Sequence, residues 1–306
     1  MNTPLVSICC ITYNHAQFIR KCLDGFLMQQ TDFPIEILIH DDCSTDGTTE
    51  IICEYEAKYP DLIFPLYEEE NQYQQGKAAE IDFYNYRRAR GKYIAYCEGD
   101  DYWTDPLKLQ KQVDFMEANP EYSVCFHDFE EYDVRNNQTR KIDLSTRGNF
   151  MDDGVEITPA MYLRHSYWGQ PLTMLFRMSM FDFGWRGYYE HYRDTHEIYH
   201  LLRAGRGRKL GFNGGVYIRH NGGIATSMSY HTSNVMACDV FMELYRENIK
   251  DNELRSLLLD TLVWKYKINK KTVFYKACVK YLPIAPSVIL QVCWIIFKRK
   301  LRRKEQ

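Results

Sequence analysis

Two adjacent carboxylates, Asp100 and Asp101, stand where an apolar run ends in "KYIAYCEGDDYWTDPLKLQKQV", Lys92 to Val113. Side by side they repel, so a sheet rim does not gather them for stability. A divalent cation removes the conflict. Mg2+ and Mn2+ are hard ions that take one or two carboxylates together with substrate phosphates and water. Metal-assisted chemistry on a phosphate-bearing ligand is therefore one reading of the pair. The other is a solvated turn ahead of "YWTDP", since Asp is abundant in turns. Spacing alone leaves both open.

The first reading needs a rigid support. Val6 to Ile11 is an apolar, β-branched and cysteine-rich run, which predicts a strand buried on both faces. In "HAQFIRKCLDGFLMQQ", Phe18, Ile19, Cys22, Leu23, Phe26 and Leu27 recur at helical spacing, with Asn14 as the predicted N-cap. Ile35 to Ile39 predicts a second strand, "DDCSTDG" a turn, and Thr48 to Tyr59 a helix. "LIFPLYE" reads as a third strand, and "GKAAEIDFYNYRRARG" as a helix stopped by Gly91. Tyr93 to Cys97 is the strand that ends at the acidic pair. In the helix that follows, Asp105 is the expected cap and Pro106 the first helical residue.

Repeated strand–helix alternation predicts an α/β, Rossmann-like fold with a mostly parallel sheet and helices on both faces. In such sheets ligands bind at the carboxyl ends of the strands. Thr12, Tyr13 and Asn14, then Asp41 and Asp42, then Asp100 and Asp101 occupy those ends. Beyond Ser123 the pattern loosens. "SVCFHDFEEYDV" predicts a strand entering a polar turn, "RNNQTRK". "ITPAMYLRHSYWGQPLTMLFR" holds a helix capped by Thr158, a loop and an apolar strand. "RDTHEIYHLLRAGR" is helical, and "KLGFNGGVYIRHNGG" reads as a short strand and a glycine-rich loop. From about Thr232 the chain is helical.

Composition bounds the class. The 306 residues, 45% hydrophobic and 26% charged, suit one large domain or one domain with an appendage. A net charge of −3 gives no case for nucleic-acid binding. The 24 tyrosines suit carbohydrate and nucleotide surfaces, and equally a tyrosine-rich core. The ten cysteines form no CxxC pair and read as small core residues in a reducing compartment. "MNTPLVSICCITYN" shows no charged n-region and no cleavage site, so a cytoplasmic setting is expected.

Three segments together carry a resemblance: "PLVSICCITYNHAQFIRKCLDGFLMQQ", "IEILIHDDCSTDGTTEII" and "GKYIAYCEGDDYWTDPLKLQKQVDFME". In that order and spacing they resemble family 2 inverting glycosyltransferases with the GT-A fold. The likeness is strong over about the first two fifths of the chain and extends weakly to about residue 225. It implies a GT-A domain over 1–230, with 1–120 binding a nucleotide-diphosphate sugar and 121–230 facing the acceptor, followed by C-terminal helices over 231–306. It implies that Ile11, Thr12, Tyr13 and Asn14 surround the base and that Asp42 bonds the pyrimidine. It implies that one of Asp100 and Asp101 approaches the ribose while the other ligates Mn2+ or Mg2+ on the diphosphate, with Asp101 the metal candidate and Asp100 a candidate for both roles. Glu98 stands where the family often has aspartate.

The resemblance also implies a catalytic base at the start of "YRDTHEIYHLLRAGR". Asp194 aligns best, with Glu190 and Glu197 as rivals, and Arg193 replaces the first member of the usual acidic pair. Arg219 and His220, in "YIRHNGG", match a basic motif near the diphosphate. Gln170 and Thr173 lie where the family lines its acceptor side, and Trp168 beside them either stacks on a sugar ring or is buried in the core. UDP is the expected carrier, with dTDP and GDP open, and the acceptor is a carbohydrate or a lipid-linked glycan in surface-polysaccharide assembly. Two rivals stand beside this reading. A nucleotidyltransferase-like enzyme would show a glycine-rich phosphate loop, which "ITYNHAQF" lacks. A non-catalytic nucleotide-sugar-binding module would keep Asp42, Asp100 and Asp101 without a base.

The chain closes on "LPIAPSVILQVCWIIFKRKLRRKEQ". The apolar stretch Pro286 to Phe297 reaches about 18 Å as a helix at ~1.5 Å per residue, too short for a hydrocarbon core of about 30 Å. With its basic flank it is expected to touch a membrane surface through 283–306, peripherally on the inner face. A helix docked on the domain is the alternative.

Overall fold

A computed structural model describes residues 3–141, 154–164, 168–184, 189–223, 230–268 and 278–302, with positions 226 and 276. The chain forms two compact units: Met1–Gly184 with Glu197–Asn221, and Trp185–His196 with Gly222–Gln306.

The first unit is α/β, with a mostly parallel sheet at its centre. β1 (Val6–Thr12), β2 (Ile35–Asp41), β3 (Ile63–Tyr67) and β4 (Tyr93–Glu98) lie parallel in the order β3-β2-β1-β4. Helices α1 (Ile19–Leu27), α2 (Thr48–Lys58) and α3 (Ala78–Arg88) connect them. Nearly every residue of β1, β2 and β4 is buried. Their mostly apolar runs follow from cover on both sides. Val6, Ile8, Cys10, Ala95 and Cys97 join Ile19, Leu23 and Phe26 of α1 and Val113 of α4 (Lys108–Ala118) in one core. On the other face, Tyr96 meets Tyr86 of α3 at 6.4 Å.

Beyond β4 the sheet changes sense. β5 (Tyr102–Trp103) leads into α4, then β6 (Tyr122–Asp133), β7 (Gln138–Lys141), β8 (Val155–Ile157), α5 (Pro159–Arg164) and β9 (Leu175–Arg177) follow. The short β9 runs antiparallel between β4 and β6. After α6 (Asp194–Ala204), β10 (Arg206–Arg219) runs parallel to β6 and pairs antiparallel with β5. The second unit holds α7 (Tyr230–Glu247), α8 (Asn252–Ile268) and α9 (Pro286–Arg302), with Cys238, Met242, Leu258, Leu262, Val288 and Val292 in its core.

Local expectations differ from the structure at several points. α4 starts at Lys108 after Leu107, not at Pro106, and Asp105 accepts the Leu107 N–H at 2.9 Å in the turn ahead of it. Asn14 does not cap α1, which starts at Ile19. The N–H groups of Phe18 and Ile19 both bond the His15 carbonyl at 2.8 Å and form a separate turn. Gly91 does not stop α3, which ends at Arg88 with extended Ala89 after it. A Cβ on Gly91 would sit 2.5 Å from the Ser7 nitrogen, so close backbone approach is what demands glycine. The strand in "KLGFNGGVYIRHNGG" is not short: β10 runs 14 residues through Gly214 and Gly215, where a Cβ on Gly214 would meet the His127 ring at 2.9 Å, and the turn comes only at the second NGG. The polar turn in "RNNQTRK" forms as expected, with Asn137 at φ 56°, and Gln138–Lys141 beyond it adds an unforeseen strand paired back on β6.

Candidate active site

The carboxyl ends of β1, β2 and β4 are joined directly. The Asp42 N–H donates to the Thr12 carbonyl at 3.0 Å, and the Gly99 N–H donates to the Ile11 carbonyl at 2.8 Å. So the residues that sequence places at three strand ends do converge on one rim.

The loop after β1 is fastened to the turn after β2. The Asn14 N–H donates to Ser44 Oγ at 2.9 Å, and Asn14 Oδ1 accepts the Thr45 N–H at 2.8 Å. Asp46 accepts the N–H groups of Ala16 and Thr48, while Asp41 accepts the hydroxyls of Ser44 and Thr49. Asp41, buried, and Asp46, exposed, therefore both close turns. Tyr13 stays exposed on this loop. Asp42 is buried and accepts the Gln72 N–H at 2.6 Å and the Tyr73 N–H at 3.1 Å, which anchors the segment after β3. Each of its oxygens keeps a further lone pair for a ligand donor.

Across the rim stands the acidic cluster. Glu98, Asp100 and Asp101 place one oxygen each within 4.8 Å of one another. Asp101 is buried, and its Oδ1 accepts the Ile218 N–H at 2.8 Å, which ties β10 to the end of β4. Burial pushes its carboxyl pKa well up, Asp100 and Glu98 add to this, and the Ile218 N–H opposes it. β10 also delivers His220, whose Nε2 lies 2.9 Å from Asp100 Oδ2. Burial acts to raise the pKa of Asp100, but the His220 hydrogen bond and the nearby His15 overcome it and hold it below the usual range.

His15 is a site residue that the sequence reading did not single out. Its Nδ1 lies 3.1 Å from the Thr12 hydroxyl and its Nε2 3.7 Å from Asp100 Oδ2. Burial lowers its pKa, and neutral imidazole keeps a lone pair for an ion. Its position directly after "TYN" was the one available signal.

The cluster fits a divalent cation. His15, Asp100 and His220 form a second triple of possible ligand atoms within 4.8 Å, sharing Asp100 with the acidic triple. Asp100 Oδ1 is buried and has no hydrogen-bond partner among the described residues. An ion beside it would satisfy that oxygen and relieve the repulsion among three carboxylates.

The remaining candidates fall less uniformly. Arg219 lies 3.5 Å from Glu131, so its guanidinium is engaged by an acid. Gln170 keeps accessible surface, whereas Trp168 and Thr173 are buried and the Thr173 hydroxyl donates to the Gln170 carbonyl at 2.7 Å. They shape the wall behind Gln170 rather than offering surface to a sugar. In the second unit, Asp194 opens α6 and accepts the Thr195 N–H at 2.8 Å. Surrounding protein pushes its carboxyl pKa up, against that N–H and the charge of Arg193, while the side chain keeps solvent access. The segment ahead of it is pinned, since Glu243 accepts the N–H groups of Glu190 and His191 at 3.1 and 3.2 Å. Glu197 is buried and accepts the Tyr86 hydroxyl at 2.8 Å.

This sheet and rim make up the GT-A architecture. Staphylococcus aureus TarS 1–349, crystallised with UDP-GlcNAc, shares the fold with a TM-score of 0.63 at 17% identity, over 94% of this chain and 81% of that one. Residues 7–179 match the model of glycosyl transferase family 2, and the chain belongs to that family. Uncharacterized protein Rv1520 of Mycobacterium tuberculosis is 49% identical over 122 residues, 40% of this chain and 34% of that protein. The putative teichuronic acid biosynthesis glycosyltransferase TuaG of Bacillus subtilis is 39% identical over 116 residues, 37% of this chain and 42% of that protein. The matched segments thus span well under half the length of these relatives.

Proposed function

We propose that the protein is an inverting, metal-dependent glycosyltransferase that moves a sugar from a nucleotide-diphosphate sugar to an acceptor hydroxyl. The observation that carries this is the shared Asp100, caught between two histidines and two further carboxylates with one buried oxygen unpaired. A carboxylate-rich set suits Mn2+ or Mg2+, and the ion supplies charge neutralisation to the diphosphate as it leaves. Asp100, Asp101 and His220 are assigned to hold it, with His15 and Glu98 beside them. Tyr13 offers a ring to the base, and Ile11, Thr12 and Asn14 shape its surroundings. Asp42 accepts from the pyrimidine. UDP is the preferred carrier, in keeping with the UDP-GlcNAc bound by TarS, whose fold this chain shares.

Inversion is a single displacement. The acceptor oxygen forms a bond to the anomeric carbon as the bond from that carbon to the diphosphate oxygen breaks. Asp194 takes the acceptor proton, and a raised pKa suits a group that must gain one. Gln170 is assigned to the acceptor side. Surface-polysaccharide assembly on the cytoplasmic side of the membrane is the setting, with a carbohydrate or lipid-linked glycan as acceptor. The name of TuaG, which ties that relative to teichuronic acid biosynthesis, supports this.

The test is a screen of UDP-, dTDP- and GDP-sugars for release of nucleoside diphosphate, with Mn2+, Mg2+ or chelator. Metal-dependent release that vanishes in Asp194→Asn, with donor binding kept, supports the reading. Tight donor binding without turnover on any glycan acceptor makes the protein a binding module instead.

A further inference from the structure

Helix α9 carries two apolar faces. Val288, Ile289, Val292 and Ile296 are buried within the second unit. Leu290, Trp294 and Phe297 are 66%, 55% and 53% exposed. Their i, i+4, i+7 spacing sets them in one line along the helix. The Trp294 and Phe297 rings stack at 6.1 Å, and Lys298 Nζ lies 4.9 Å from the Trp294 ring. Single exposed apolar residues need no explanation, but a continuous stripe of large ones marks a contact surface.

Charge identifies the partner. Residues 261–304 hold twelve Lys and Arg and no Asp or Glu, in a chain whose net charge is −3. The rest of the chain is therefore at −15, and this one region is strongly basic. Six of the twelve follow Phe297 directly: Lys298, Arg299, Lys300, Arg302, Arg303 and Lys304. A large aromatic stripe that runs into a cationic cluster is complementary to an anionic lipid surface. Tryptophan places its apolar ring among acyl chains and its N–H at the headgroups, while lysine stems lie along the apolar layer with their charges outside. The 17-residue helix is about 25 Å long. That is short of a hydrocarbon core of about 30 Å, and no described helix is long and apolar enough to cross a membrane.

We propose that α9 lies flat in an anionic membrane surface, with Leu290, Trp294 and Phe297 inserted and the basic run after Phe297 on the headgroups. The proposal does not depend on the transfer chemistry. Sedimentation of the full chain with phosphatidylcholine vesicles, with and without about 30% phosphatidylglycerol, reads it. The anionic vesicles should bind at least about tenfold more tightly, and high salt should erase most of the difference. Leu290→Ser/Trp294→Ser/Phe297→Ser should weaken binding by at least about tenfold with an unchanged melting curve. Lys298→Gln/Arg299→Gln/Lys300→Gln should reduce the preference for anionic lipid by at least about tenfold. Brominated lipid should quench tryptophan emission in the wild type, and the conservative Trp294→Phe should lose that quenched component. The proposal is overturned if neither vesicle sediments the chain. It is overturned too if the serine variant turns a dimer into a monomer in gel filtration and leaves vesicle binding unchanged, which would make the stripe a contact between copies.

Discussion

Asp101→Asn should stabilise the metal-free protein and disable it at once. With ligand atoms within 4.8 Å of one another, each ionised pair among Glu98, Asp100 and Asp101 repels by about 3.5 kcal/mol at an effective dielectric of about 20. Removing the Asp101 charge deletes two such pairs, roughly 7 kcal/mol if all three carboxylates are ionised. Protonation sets a lower ceiling. A carboxyl that simply takes up a proton at pH 8 loses about 5.6 kcal/mol relative to an ordinary aspartate, at ~1.4 kcal/mol per unit. The new amide keeps an oxygen for the Ile218 N–H but buries an NH2 group, at a cost of about 1–3 kcal/mol.

The expected net gain is about 3 kcal/mol, or roughly 6–12 °C in Tm for a unit of this size. Because the Asp101 pKa is raised on folding, the wild-type protein loses this stability as pH rises above the ordinary aspartate range. The variant does not, so its advantage should shrink towards pH 4. Added Mn2+ and UDP should reverse the ranking: at about 1,000 Kd they stabilise the wild type by about 4.1 kcal/mol and leave the variant where it was. Differential scanning calorimetry with and without both ligands reads all of this. A metal-free variant less stable than the wild type would refute the argument that these carboxylates are held in mutual repulsion.

Further outcomes follow from other sites. Asp194→Asn should lower kcat by about 10²–10⁴-fold and leave the donor Kd within about twofold, measured by UDP release and calorimetry; turnover within tenfold of wild type would remove Asp194 as the base. Lys108 is fully buried with Nζ 3.7 Å from the Trp103 ring, and burial brings its pKa down to about 7. The charged form is penalised by about 5 kcal/mol below pH 7, and the aromatic face returns about 2. Lys108→Met should therefore add about 3 kcal/mol at pH 6, an advantage that fades between about 7 and 10.5 in urea melts at several pH values. Gly91→Ala places a Cβ 2.5 Å from the Ser7 nitrogen, a backbone atom that cannot swing aside, so urea unfolding should show a loss of about 3 kcal/mol.

The strands that carry the rim were legible because burial on both faces leaves mostly apolar runs, as in Val6–Thr12 and Tyr93–Glu98. The acidic pair was legible because carboxylates at a buried strand end call for a counter-charge. His15 was not, because its role depends on β10 bringing His220 to Asp100 from more than a hundred residues away. The full length of β10, which runs through Gly214 and Gly215, was hidden for a related reason. Glycine in sequence signals a turn, whereas here it makes room for His127 and for Tyr102 and Leu172 across the sheet. Burial of Thr173 depends on tertiary contacts that no local pattern encodes, whereas burial of Trp168 is what a large apolar ring ordinarily does. Asp41 and Asp46, by contrast, do what short-range turn chemistry asks of them, and only their partners across the β1 loop needed the structure.

The most direct measurement is a crystal soaked with UDP and manganese, with data collected at the manganese absorption edge. The account predicts an anomalous peak beside Asp100, Asp101 and His220, with the uracil against Asp42 and Tyr13. Nucleotide bound in that cleft with manganese absent from the acidic corner, or bound elsewhere, would contradict it.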